Sequence, residues 1–142
     1  MGSENFYPGE PLADDEIRVT LLGTGKPFPR RCQASASIFV EAGAEKFLLD
    51  CGPGAPQNFT PLEIPFTAVD KVFTTHHHVD HIGGPDNFWT GALTYGRTKP
   101  PKVWGPPGTE KIRTHCTGHS VRVTQNRLRH SQHGPHHRGR PG

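Results

Sequence analysis

The segment Thr75-His-His-His-Val-Asp-His-Ile-Gly-Gly84 contains four of the ten histidines in this sequence. Its spacing places three imidazoles and one carboxylate, those of His76, His78, Asp80 and His81, within six residues. Imidazole nitrogen combined with carboxylate oxygen suits zinc and related divalent ions. In an extended stretch, side chains two residues apart point to the same side, so His76 and His78 can bind one ion. If the chain then turns, Asp80 and His81 can face a second ion.

Two divalent ions in one site predict hydrolytic chemistry. Ions about 3.5–4 Å apart can share a water molecule, lower its pKa and generate hydroxide at neutral pH. The alternative is a chance histidine-rich loop, or a weak adventitious metal site. His77 lies between two predicted ligands, so we expect it to point the opposite way and to lie outside the site.

The flanking sequence predicts a strand before this segment and a helix after it. Residues 69–75 are rich in β-branched and aromatic side chains, which indicates a strand. Residues 85–95 carry apolar side chains near helical spacing, with Pro85 in the first turn. The metal-binding segment is therefore expected on a loop at the C-terminal end of a strand, where α/β folds commonly place their sites.

The rest of the pattern predicts a mixed α/β (α+β) fold. Several strands come first and are followed by a strand–loop–helix–strand unit, which favours a mixed β-sheet with helices on one face. The further predicted elements are strands at 17–22, 37–41, 46–50 and 102–104, with a short helix ending at 58.

Composition excludes several classes of protein. No run of about 18 apolar residues occurs, so no transmembrane helix is expected. The first residues lack the basic and apolar regions of a signal peptide, so we expect a soluble, cytoplasmic protein with no membrane partner. Three cysteines are too few and too scattered for a disulfide framework. Cys51 is expected to be a small buried residue rather than a metal ligand.

Charge divides the chain into three predicted regions: an irregular lead-in at 1–16, a domain at 17–112 and a basic tail at 113–142. Residues 1–110 hold 9 Lys/Arg and 13 Asp/Glu, whereas residues 111–142 hold 7 Lys/Arg, no acidic residue and six histidines. Three interpretations of the tail stay open: a disordered basic segment, an out-of-frame or truncated product, and a nucleic-acid or metal-binding tail.

Four motifs carry a resemblance to a known family, and together they cover about residues 17–110. The segment from His76 to His81 is similar to the HxHxDH signature of metallo-β-lactamase-fold hydrolases. Three further stretches resemble the LGTGxP, FDCG and xxGP motifs of the ribonuclease Z-like and arylsulfatase-like branch. They are Leu22–Pro27, Phe47–Gly52 and Val103–Pro106.

The resemblance implies the N-terminal half of an αββα sandwich with a two-zinc centre. His76 and His78 would then bind the first zinc ion, and Asp80 and His81 the second. Asp80 would also be catalytic by orienting the attacking water. Asp50 would stand behind the ligands and steady the metal loop, although a simple turn carboxylate after a strand is the alternative.

The resemblance also implies that a second half completes the site, including a carboxylate that bridges both ions. No acidic residue follows Glu110 in this sequence, so both metal sites are expected to be incomplete. The expected activity is zinc-dependent phosphodiester hydrolysis of the ribonuclease Z type, in tRNA 3′ processing. The alternatives are an arylsulfatase-like or other ester hydrolase, and an inactive, truncated metal-binding fragment.

The expected partners follow from these alternatives and from the predicted sheet. The substrate is a small ester or phosphodiester, or tRNA. Half a sandwich leaves one sheet face uncovered, and a large exposed apolar face favours aggregation or a homo-oligomer. The residues expected on this face are Ile17, Val19, Leu21, Phe39, Leu48 and Val72.

Overall fold

A computed structural model describes residues 10–28 and 30–111. It contains five strands and three short helices; the strands and two of the helices follow the predicted order, whereas the helix at Val79–Ile82 lies in the segment predicted as a loop. The strands are β1 (Ile17–Gly23), β2 (Ser37–Ala42), β3 (Glu45–Leu49), β4 (Lys71–Phe73) and β5 (Lys102–Trp104). The helices are α1 (Ala55–Phe59), α2 (Val79–Ile82) and α3 (Pro85–Thr94), with 3₁₀ turns at Thr60–Leu62 and Phe66–Ala68. In this described part of the chain, no helix has the length and apolar character to cross a membrane.

The strands form one sheet in the order β1-β2-β3-β4-β5. The first three strands are antiparallel neighbours, and β3, β4 and β5 run parallel to each other. This confirms the predicted mixed sheet. The tight turn between β2 and β3 uses Gly43 at φ +53°, a left-handed conformation that glycine adopts without steric cost.

Strand β3 ends one residue earlier than predicted and β4 is shorter than predicted, and Asp50 explains where both strands end. Asp50 has φ +57°, so β3 stops at Leu49. Its carboxylate also accepts a hydrogen bond from the backbone N–H of Thr75 at 2.8 Å. That N–H is therefore not available to a neighbouring strand, and β4 ends at Phe73.

One face of the sheet forms the core together with the helices. The strand register places Phe39 beside Leu48, Leu48 beside Val72, and Val72 beside Val103. All four side chains are buried, and the ring of Phe59 from α1 meets Phe39 edge-on at 5.1 Å between centroids. The apolar side chains of alternate strand positions thus cover the inner sides of the helices.

On the opposite face of the sheet, the apolar side chains of β1 are exposed. Ile17, Val19 and Leu21 of β1 are 70%, 57% and 63% exposed. At the other end of the same face, the rings of Phe73 and Trp104 stack at 4.8 Å between centroids. The predicted arrangement, with helices on one face only, is confirmed.

The prediction that Phe39, Leu48 and Val72 share the uncovered face is wrong. In the β1–β2 register Phe39 lies opposite Thr20, whereas Val19 lies opposite Val40. Because successive side chains in a strand point to opposite faces, Phe39 and its neighbours in β3 and β4 turn toward the helices.

Candidate metal centre

The C-terminal ends of β3 and β4 bring the predicted site residues to one edge of the sheet. Asp50 follows β3, and the histidine segment follows β4 and leads into α2. Two backbone hydrogen bonds join these segments: Cys51 N–H donates to His81 O at 2.7 Å, and Gly84 N–H donates to Cys51 O at 2.8 Å. The strand end that carries Asp50 is therefore fixed against the segment that carries the histidines.

Gly52 permits the close approach of these two segments. A Cβ atom at position 52 would lie 2.1 Å from the carbonyl oxygen of Asp80 and 2.6 Å from the Cβ of Ser35. No side chain fits at such distances, so only glycine lets the backbone after Asp50 pass beneath the loop.

The structure brings together the four side chains that the sequence predicted as metal ligands, and it arranges them in two pairs. His76 Nε2 lies 3.1 Å from His78 Nδ1, and His81 Nε2 lies 3.5 Å from Asp80 Oδ2. The rings of His76 and His81 are 4.0 Å apart between centroids. Two ligand atoms on one tetrahedral zinc, each about 2.0–2.1 Å from it, lie about 3.3 Å apart. Each pair therefore has the separation of two ligands of a single ion.

Asp80 carries an unusual buried oxygen. The residue is 6% exposed, and its Oδ1 atom has no hydrogen-bond partner within residues 10–28 and 30–111. A buried carboxylate oxygen without a donor is energetically costly. A divalent cation would supply the missing positive partner, so this side chain fits a metal site.

Each of the two side-chain pairs offers two possible metal ligands. Across the part of the chain that the structure describes, no three His, Cys, Asp or Glu side chains are arranged to hold one ion. A catalytic zinc ion usually has three protein ligands and a water. The histidines of the predicted tail, His115 and His119 among them, lie outside the described residues.

Asp50 makes three hydrogen bonds to the histidine segment. Its Oδ1 accepts from the backbone N–H of Thr75 at 2.8 Å. Its Oδ2 accepts from Thr75 Oγ1 at 2.8 Å and from His81 Nδ1 at 2.7 Å. His81 Nδ1 donates to this carboxylate and its Nε2 atom faces Asp80, which is the orientation that metal-binding histidines have. Asp50 thus joins the end of β3 to the histidine segment through its side chain, and its role in steadying a metal loop stays a prediction.

His77 points away from the other histidines, as expected, and contacts a residue that the sequence analysis missed. Its Nε2–H donates to Thr109 Oγ1 at 2.8 Å, and that hydroxyl donates to Pro106 O at 2.7 Å. Thr109 is 3% exposed, and a Cβ at Gly105 would lie 2.5 Å from its hydroxyl. The Gly-Pro-Pro-Gly-Thr run from 105 to 109 was the only sequence signal for this contact.

Cys51 is buried on the helix side of the sheet, beside a small and mainly apolar cavity. Burial, together with the smaller effect of the negative charges of Asp50 and Asp86, raises the pKa of its thiol to about 12. The thiol is therefore neutral at physiological pH, which confirms the expected buried small residue.

Comparison with models of protein families shows the family to which the chain belongs. The family model described as Anti-Pycsar protein Apyc1 matches residues 17–126. The chain belongs to the Anti-Pycsar protein Apyc1 family. The family match includes all five strands and the histidine segment, and it continues past the predicted domain end at 112 into residues outside the described part. The predicted boundaries at 16 and 112 stay predictions.

The Apyc1-family chain is also similar to curated and solved proteins. It is 36% identical over 118 residues to ribonuclease Z of Mycobacterium avium (strain 104), covering 80% of this chain and 39% of that protein. The chain therefore spans about two fifths of the length of this relative. The likeness confirms the resemblance to the ribonuclease Z-like branch.

Solved structures show the fold. Human tRNase Z, short form, superposes with a TM-score of 0.62 at 24% identity, over 78% of this chain and 44% of that one. The metallo-β-lactamase fold protein YhfI from Bacillus subtilis gives a TM-score of 0.62 at 19% identity, over 78% and 46% of the two chains. The Apyc1-family chain thus has the metallo-β-lactamase fold over its matched part.

Proposed function

We propose that this chain supplies the N-terminal part of a two-zinc hydrolase centre. His76 and His78 would bind one ion, and Asp80 and His81 the other. The distances of 3.1 Å and 3.5 Å within the two pairs support this assignment. The observation that carries it is the buried, unpartnered Oδ1 of Asp80, because a cation relieves that cost and an ordinary loop carboxylate would turn toward water.

The chain's own residues would orient the reacting groups. When bound, zinc lowers the pKa of water and stabilises negative charge that develops on a substrate. Asp80 would accept a hydrogen bond from the attacking water and so direct it. Asp50 would hold the His81 ring through the 2.7 Å bond to Nδ1, which keeps Nε2 directed into the centre.

We further propose that the substrate is a phosphodiester, with RNA as the favoured class and tRNA 3′ processing as the specific reaction. The curated relatives named ribonuclease Z support this choice. An arylsulfatase-like or other ester hydrolase shares the same motifs and is the alternative.

A second candidate is a metal-binding chain without turnover of its own. The number of ligands favours this candidate, since each pair among the described residues offers two ligands to an ion, whereas a catalytic zinc ion usually has three. The two candidates differ in turnover and agree in zinc binding.

Zinc binding and hydrolysis by the purified 142-residue chain test both candidates. Calorimetric titration with Zn²⁺ should show binding that Asp80→Asn weakens about 10-fold or more, whereas the exposed carboxylate variant Asp86→Asn should bind like wild type. Hydrolysis of bis(p-nitrophenyl) phosphate or of a tRNA with a 3′ trailer, abolished by EDTA and by Asp80→Asn, would establish the hydrolase. Cleavage of p-nitrophenyl sulfate instead would favour the arylsulfatase-like alternative. Binding without turnover supports the second candidate, and absence of zinc binding contradicts both.

A further inference from the structure

The hydroxyl of Thr75 lies between Asp50 and His76. Thr75 Oγ1 is 2.8 Å from Asp50 Oδ2 and 3.0 Å from His76 Nδ1. The same Asp50 oxygen is 2.7 Å from His81 Nδ1. One carboxylate oxygen is thereby connected to two histidines that belong to different ligand pairs, directly to His81 and through a hydroxyl to His76.

The direction of these hydrogen bonds is fixed by the chemistry of the groups. An ionised carboxylate only accepts, so Thr75 must use its single hydroxyl proton on Asp50. Toward His76 the hydroxyl then offers only a lone pair, so His76 Nδ1 carries the proton that it donates. With Nδ1 protonated, the neutral ring of His76 has its lone pair on Nε2, the atom that lies 3.1 Å from His78 Nδ1.

We propose that Thr75 is a positioning residue that extends the influence of Asp50 to His76, so that one carboxylate sets the ring orientation and tautomer in both ligand pairs. The positioning role in this inference rests on the proposed metal centre, whereas the hydrogen-bond relay itself is a property of the metal-free chain. His78, which has no such partner in the relay, donates from Nδ1 to His76 Nε2 until a cation takes the place of that proton.

The backbone of Thr75 makes the role of its hydroxyl separable from the fold. Its N–H donates to Asp50 Oδ1 at 2.8 Å, and this bond does not depend on the side chain. Thr75→Val keeps the shape of the side chain and this anchor, and it removes only the relay. Thr75→Ser keeps the hydroxyl. Thr74→Val is the matched control, because the hydroxyl of Thr74 takes no part in the network.

The relay is tested first in the metal-free, full-length chain by ¹⁵N NMR of the histidine rings. We expect His76 to be protonated at Nδ1 in wild type, Thr75→Ser and Thr74→Val, and to populate both tautomers in Thr75→Val. His81 should keep its Nδ1 proton in all four proteins, because it contacts Asp50 directly. A wild-type His76 protonated at Nε2 overturns the proposal whether or not any variant folds.

Metal affinity gives the second test. Titration with Zn²⁺ should show binding weakened about 10-fold or more in Thr75→Val, as for other partners that orient metal ligands, and wild-type binding in Thr75→Ser and Thr74→Val. Wild-type affinity in Thr75→Val overturns the positioning role. If wild type itself binds no zinc, the proposed function fails, while the NMR result still decides the relay.

Discussion

Cys51 connects the core to the site at the scale of single residues. The residue is 1% exposed and lies on the helix side, while its backbone N–H donates to His81 O and holds the histidine segment in place. The thiol stays neutral because burial disfavours its charged form. The neighbouring Asp50 side chain instead accepts hydrogen bonds from three donors.

The raised pKa of Cys51 predicts a pH dependence of stability. The folded chain holds the thiol proton up to a pKa of about 12, whereas the unfolded chain releases it near 9. The contribution to stability is therefore complete below pH 9 and is lost as pH rises toward 12. At pH 10.5 the wild type should have lost about 2 kcal/mol more unfolding free energy than Cys51→Ala, relative to pH 7.5. Denaturant titrations of both proteins at the two pH values measure this. Equal losses in the two proteins would contradict the buried thiol.

At the scale of elements, the site depends on two segments that pass each other at backbone distance. The end of β3 runs beneath the histidine loop, and Gly52 is the point of closest approach. The loop after β5 supports the other side through Thr109 and His77. The short helix α2 therefore gains its orientation from contacts with these neighbours rather than from its own four residues.

Substitution of Gly52 tests this packing. Gly52→Ala places a Cβ 2.1 Å from Asp80 O, so we expect a loss of about 3 kcal/mol or more in unfolding free energy together with the loss of zinc binding. Gly96→Ala is the control. Its Cβ meets nothing within 4 Å, and its cost of about 1–2 kcal/mol comes only from the positive φ of +86°. Similar losses in the two variants would show that close approach at Gly52 is unimportant.

At the scale of the whole molecule, the two faces of the sheet differ in what covers them. The inner face is closed by α1 and α3 and forms the core. The outer face presents three apolar side chains of β1, each more than half exposed, beside the stacked rings of Phe73 and Trp104. Exposed apolar patches of this kind favour association.

We therefore expect the purified chain to self-associate with rising concentration and to bind the dye ANS. The double variant Val19→Thr, Leu21→Thr should reduce both, because it makes the outer face polar and leaves the inner face unchanged. Phe28→Ser is the control, since Phe28 is 77% exposed and lies in a loop away from the sheet. Sedimentation velocity and ANS fluorescence measure the outcome. A monomeric wild type with no ANS signal would contradict the expectation.

Local patterns in the sequence determined most of the helices and strands and the choice of candidate ligands. The alternation at 17–22, the turn at 42–43 and the spacing from His76 to His81 each depend on neighbours in the chain. The structure has the strand and the turn where they were predicted, and it brings the four predicted ligands close together. Such patterns are poorer predictors of strand ends, because the residue at which a strand ends depends on a distant partner such as the carboxylate of Asp50.

Only the tertiary structure decided which face of the sheet is buried and which side chains orient the histidines. The inner position of Phe39 depends on strand register. The relay through Thr75 and the contact of His77 with Thr109 join residues 25 and 32 positions apart. The sequence supplied the candidate ligands, because ligand chemistry is a property of residue type and spacing. Long-range hydrogen bonds and packing supplied its orientation, because they exist only once the chain has folded.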